Sequence, residues 1–191
     1  GFAGPATVLF MLMSIRALLE YCELYVIRYI LLSAVFLSFM VFCKVTSIIF
    51  LPCFIIYLIW LLYDADLPAG VKAGHFLAFT LTLGVLVAMV PVCNMMLFGS
   101  YTSFGKVDAV EIGARILGAP HVLKGFYYYL LSTGKSFFIY NLPVVLAFFA
   151  LDRAFSKKKK ITMLFLLIAA VNLFFYVKSF RRGSLFCWGP R

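Results

Sequence analysis

The chain has 191 residues, 65% hydrophobic, 18% aromatic and only 13% charged, with a mean hydropathy of +1.07. An ordinary soluble domain is roughly half apolar and about a quarter charged, so this chain carries more apolar surface than one water-facing core can bury, and that class is excluded. The net charge is +10, from 17 Lys and Arg against 7 Asp and Glu; the cations sit in short gaps between apolar runs rather than in stripes over a polar face, which points to membrane topology and headgroup contact and away from nucleic acid.

A membrane helix needs about 20 apolar residues, because a rise of about 1.5 Å per residue must cross roughly 30 Å of hydrocarbon. Six runs qualify as candidate spans, near residues 5–19, 26–42, 47–62, 76–97, 136–151 and 161–177. The first is short and carries Arg16. All are apolar on every face, whereas membrane strands alternate, so the expected fold class is all-α. The expectation is a polytopic transmembrane helix bundle of about six spans forming a single domain over residues 1–191. Pro52 and Pro91 fall inside spans, where kinks are expected and neighbouring helices can re-satisfy the freed carbonyls.

The segment 98–135 between the fourth and fifth spans is too long for a tight turn. Asp108, Glu111 and Arg115 recur there at helical spacing, opposite Val107, Val110, Ala114 and Leu117. This is the pattern of a short amphipathic helix lying in the interface. Phe126 to Tyr129 (FYYY) then reads as an aromatic belt at headgroup level, with sugar stacking as the alternative.

Orientation follows from Lys and Arg near the span ends. Lys157 to Lys160, with Arg153, joins spans five and six and is expected in the cytoplasm. Alternation then places the Arg16–Arg28 turn and the Tyr63–His75 loop inside, and the Lys44 turn, segment 98–135 and the Lys178–Arg191 end outside. Eight basic residues fall inside and nine outside. Cations that defy the topological bias invite either an anionic substrate or ordinary headgroup contact. Asn94 and Asn141 lie near membrane depth, where a helix–helix hydrogen bond is the default expectation.

Five cysteines are scattered, and Cys43, Cys53 and Cys93 fall in apolar runs, where cysteine behaves as a small hydrophobe. No metal-ligand spacing and no soluble-enzyme signature occurs: no Walker loop, no GxGxxG, no HExxH and no GxSxG. No cofactor and no metal are expected. Asp64 and Asp66 beside Pro68 and Gly70 read better as a solvated turn than as a metal or nucleotide-sugar site. The absence of an initiator Met and of a signal peptide, with the stop at Arg191, leads to the expectation of an internal piece of a longer chain, partnered by further helices of that parent.

Three stretches expected on the outer face remain: Asn94 to Lys106 (NMMLFGSYTSFGK), Leu131 to Pro143 (LSTGKSFFIYNLP) and Arg181 to Arg191 (RRGSLFCWGPR). Together they resemble polyprenyl-phosphate-sugar-dependent glycosyltransferases of the GT-C superfamily, family 39-like, relatives of protein O-mannosyltransferases and lipid A aminoarabinose transferases. Bacterial members carry N-x-x-x-FGS-x-x-x-x-G, then S-P-G-K-S/G-x-x-x-Y-x-P, then W-G-P-R. Lys44-Val45-Thr46, followed by Pro52, resembles the T-K-x-T-x-x-x-x-P stretch of these proteins. The order matches over nearly the whole chain. Thr133 replaces the usual Pro, Phe104-Gly105-Lys106 replaces a T-G-Y-like ending, and Val45 alters the lysine turn.

The resemblance implies sugar transfer from a polyprenyl-phosphate-linked donor to an acceptor at the outer face of a bacterial inner (plasma) membrane. The family's catalytic carboxylate lies in a first outer loop, and no matching acidic motif occurs here, so no catalytic residue is assigned and this piece alone is expected to be inactive. A departing lipid phosphate calls for fixed cations in a water-poor site, with Arg suited to bidentate contact and Lys to a point charge. Lys135, Arg191, Arg182, Arg181 and Lys44 are the candidate phosphate or sugar ligands. Trp188 joins them as a sugar platform, although an interfacial anchor suits it better. The alternatives from other classes are a transporter or flippase of lipid-linked sugars, for which an inverted repeat would speak and none is seen, and a structural membrane subunit.

Overall fold

The structure, a computed structural model, describes residues 3–99, 155 and 159–175. Among the described residues 93% are helical and none is in a strand, as continuous apolar runs require. The chain divides into two units, Gly1–Ala109 and Val110–Arg191. The described helices of the first are α1 (Ala3–Leu24), α2 (Ile27–Cys43), α3 (Leu51–Asp64) and α4 (Ala69–Phe98), with a 3-10 segment, Val45–Phe50, leading into α3. In the second unit a helix covers residues 159–175, with Leu164 and Ile168 buried. The segment 98–135, apart from its first two residues, and the run 136–151 lie outside the described residues, and with them the expected amphipathic helix and aromatic belt.

Among the described residues two helical stretches are long and apolar enough to cross a membrane, Val45–Asp64 and Ala69–Leu97; the apolar helix Ile27–Cys43 is shorter. Arg16 does not interrupt α1. It lies on the exposed side and pairs with Glu20 one turn on, Nε to Oε1 at 3.1 Å, an i,i+4 arrangement that α-helix geometry favours. Pro52 falls inside the candidate span Val45–Asp64, as expected. It occupies the first turn of α3, where a missing N–H costs no ladder bond, because the 3-10 segment ends just before it. Pro91 does lie inside α4, which runs on to Phe98.

α1 and α2 are joined by Tyr25 and Val26 alone, so they must run antiparallel. Tyr25 takes a left-handed φ of 52°, costly for a residue with a side chain. Its N–H is satisfied by Tyr21 O at 2.8 Å, and its ring packs edge-on against Tyr21 with centroids 5.7 Å apart. The inner seam of α1 repeats every seven residues, Thr7, Ser14 and Tyr21, all buried; this is the interval at which helix positions return to one facing partner. Ser14 and Ser33 hydroxyls, both fully buried, meet across the seam at 2.7 Å, and Phe10 stacks on Phe39 at 5.4 Å.

α2 packs in turn along α4. The hydroxyl of Tyr21 hydrogen-bonds His75 Nδ1 at 2.8 Å, which pins the end of α1 to the start of α4. The N-termini of α2 and α4 therefore share one end of the bundle, and the two helices run parallel. α4 turns Phe79, Leu83, Val90 and Asn94 inward, spaced by four and seven residues, and stops at Gly99, whose φ of 68° favours glycine and whose N–H reaches Met95 O at 3.0 Å.

The Ser14–Ser33 bond sets the register of the α1–α2 hairpin. Interhelical hydrogen bonds of this kind average about 0.6 kcal/mol and reach about 1.7. Ser14→Ala and Ser33→Ala are each expected to destabilise the detergent-solubilised chain by about that much, with strong coupling in a double-mutant cycle followed by denaturant titration. Additive effects would show that the two hydroxyls act independently.

Candidate functional site

The four helices of the first unit create two chemically different ends. At the first end, where α1 meets α2 and α3 meets α4, lie Arg16, Arg28 and Lys72 with Glu20, Glu23, Asp64 and Asp66, so carboxylates outnumber cations. Arg28 donates to Tyr29 Oη at 2.9 Å, and its guanidinium sits 4.7 Å over the same ring. Lys72 Nζ reaches back to Tyr63 O at 3.3 Å, placing a cation on an end carbonyl of α3, where the helix dipole favours it. Asp64 and Asp66 are exposed. Among the described residues no group of three or more His, Cys, Asp or Glu is placed to hold a metal ion.

The opposite end holds Lys44. It is exposed and extended (φ −153°, ψ 102°), the single non-helical residue between α2 and the 3-10 segment. The break arises because α2 ends at Cys43: the Lys44 N–H closes on Met40 O at 3.1 Å, while its carbonyl accepts from Ser47 N at 2.8 Å. A strong point charge is thereby held on a short, bonded turn. Lys44 is the one member of the sequence-derived set that the structure places. Lys135, Arg181, Arg182, Trp188 and Arg191 lie outside the described residues.

Two side chains stand out at this end. Ser47 Oγ and Asn94 Nδ2 are the buried side-chain polar atoms without a hydrogen-bond partner among the described residues, and their residues are 2% and 8% exposed. Asn94 is thus not the helix–helix hydrogen-bond donor that its place in an apolar run suggests. Other buried polar side chains have local or interhelical partners: Ser38 donates to Ala34 O at 2.8 Å, one turn back, and Ser14 meets Ser33. An unpartnered buried donor is costly and calls for a reason.

Sequence reasoning missed Ser47 and the Tyr21–His75 pair. Nothing at the level of residue type separates Ser47 from the other serines. Tyr21 could have been flagged by its seven-residue spacing from Ser14 and Thr7, but its partner 54 residues away could not. Cys53 is buried, and Cys22, Cys43 and Cys93 are half-buried.

No family model matches the chain, and neither a curated protein nor a solved structure does.

Leaving a buried polar group unpaired costs about 1–3 kcal/mol, so Asn94→Leu is expected to raise the stability of the full chain by about 1 kcal/mol or more. The shift in its denaturation midpoint in detergent measures this. A midpoint that stays or falls would mean that the amide is satisfied in the folded protein.

Proposed function

We propose that the chain is part of a membrane glycosyltransferase resembling the polyprenyl-phosphate-sugar-dependent enzymes of the GT-C superfamily, contributing later transmembrane helices and part of the lipid-donor pocket. One coincidence carries this reading. The two unpartnered buried polar side chains both belong to, or border, stretches that resemble the family: Asn94 opens one, and Ser47 directly follows Lys44-Val45-Thr46. Each supplies a donor, at the end of the bundle where Lys44 supplies a charge. Donors and a cation in a water-poor setting suit an oxygen-rich anionic ligand such as a phosphosugar.

In this reading an acceptor nucleophile displaces the phosphate at the sugar's anomeric carbon. The bond to the phosphate oxygen breaks, and its electron pair leaves on the lipid phosphate. Lys44 stabilises that developing charge, a role the resemblance also suggests for Lys135, Arg181, Arg182 and Arg191, with Trp188 as a sugar platform or interfacial anchor. The carboxylate that takes the acceptor's proton is supplied from elsewhere in the parent chain. Membrane orientation has its own support. Among the described residues of the first unit Arg16, Arg28 and Lys72 lie toward the end opposite Lys44, and the positive-inside bias, which counts Lys and Arg rather than net charge, makes that end the cytoplasmic one. The Lys157–Lys160 loop is cytoplasmic in the same scheme, in a bacterial inner membrane.

The parent protein, assayed with a polyprenyl-phosphate sugar and its membrane acceptor, is expected to transfer the sugar. A charge-assisted hydrogen bond is worth about 1.5–3 kcal/mol, so Lys44→Ala is expected to lower turnover by about 10- to 100-fold. A carrier of lipid-linked sugars would bind the same phosphate and transfer nothing, and full activity of Lys44→Ala would remove Lys44 from the site. For topology, single cysteines in a chain without native ones should react with a membrane-impermeant maleimide from opposite faces: Asp66→Cys from the cytoplasm, Lys44→Cys from outside. Labelling from the same face would overturn the orientation.

A further inference from the structure

We infer that the end of the first unit carrying Arg28 and Tyr63 is a contact surface for phospholipid headgroups, and that it needs no net negative charge on the lipid. This rests on the membrane part of the reading above and not on sugar transfer.

The surface is built where helices end. Tyr63, the residue before the last of α3, is 81% exposed, and Tyr25, in the α1–α2 turn, is 41% exposed. A tyrosine held at a helix end with its ring uncovered has an apolar body and a polar tip, the combination that the headgroup layer accommodates. Arg28 stands one helical turn from Tyr25 with its guanidinium over Tyr29. Only one of its donors is used in that contact, so the rest are available to a phosphate oxygen.

The occupant is identified by what lies next to this ring. On α4, Leu77, Leu81, Val85, Met89, Val92 and Met96 recur every three or four residues, each between 49% and 82% exposed. From Leu77 to Met96 the helix rises about 28 Å, which matches the roughly 30 Å hydrocarbon layer of a bilayer. A protein groove has no reason to match that length. The lysine contact from Lys72 to Tyr63 O ties Tyr63 to the helix just before the apolar stripe starts, so the aromatic ring borders the hydrocarbon band.

Charge then selects the headgroup. At this end carboxylates outnumber cations, so an anionic surface gains no net attraction, in contrast to polybasic segments that recruit acidic lipid. A single phosphate contact by Arg28 is available on any phospholipid, zwitterionic ones included.

The full chain, reconstituted in vesicles of phosphatidylcholine with and without phosphatidylglycerol, tests this. One tryptophan is introduced at a time, Tyr63→Trp or Leu81→Trp, with Trp60 and Trp188 replaced by Phe, and quenched by lipids brominated high or low on the acyl chain. Tyr63→Trp should be quenched about twofold or more better by the high bromines and Leu81→Trp by the low ones, with both patterns unchanged by the anionic lipid. Tyr63→Trp untouched by either quencher, or quenched best by the low bromines, would overturn the headgroup contact. A pattern that forms only with phosphatidylglycerol would overturn the charge argument. If Leu81→Trp alone behaves as expected, the membrane reading stands while this surface falls. If Leu81→Trp escapes quenching as well, both fall.

Discussion

The constraint on which the described fold depends is that long apolar helices must satisfy their backbone hydrogen bonds within the chain. Every N–H and C=O in an apolar solvent must find a partner within the chain, and helices achieve this locally. The first unit obeys with few interruptions: Tyr25–Val26, Lys44, the Ala65–Pro68 connection and Gly99. The breaks are closed by short backbone bonds, from Tyr25 N to Tyr21 O, Lys44 N to Met40 O, Ala65 N to Leu61 O and Gly99 N to Met95 O. Charged groups gather at these interruptions, where the apolar helices end. Arg16 is the exception, two turns inside α1, and its long side chain suits a residue that must extend its charge toward an end.

Polar side chains inside such a bundle fall into three groups, and only one speaks of function. Some bond back onto their own helix, as Ser38 and Thr80 do. Others bridge helices, as in Ser14–Ser33 and Tyr21–His75, where they fix register and packing partner. Ser47 and Asn94 do neither. In a solvent that exacts a penalty for each lost hydrogen bond, those two positions are where a ligand's oxygens would be most welcome. That physical asymmetry, more than any single motif, is why the Lys44 end is read as the functional one.

Much of this was legible in advance, for specific reasons. Helix rather than strand followed from runs apolar on every face, and the helices over Ile27–Cys43, Leu51–Asp64 and Ala69–Phe98 lie close to the apolar runs. Pro52 and Arg16 show what neighbours add: Pro52 lies inside the candidate span Val45–Asp64 but in the first turn of α3, where it costs no ladder bond, and Arg16 has a Glu one turn on. Lys44 was singled out on resemblance, and its exposed position on a bonded break is compatible with that role. Ser47 escaped notice because its burial depends on packing around the turn, which no spacing rule encodes.

What the sequence determined by itself is the local conformation. Long runs that are apolar on every face form helices, two of them among the described residues long and apolar enough to cross a membrane, because backbone hydrogen bonding is satisfied residue by residue. What only the tertiary structure decided is which polar groups find each other. Tyr21 meets His75, Ser14 meets Ser33, and Ser47 Oγ and Asn94 Nδ2 find no partner among the described residues. Those outcomes depend on how helices distant in sequence come to lie side by side, and a few ångströms of relative position separate a satisfied hydroxyl from an orphaned one.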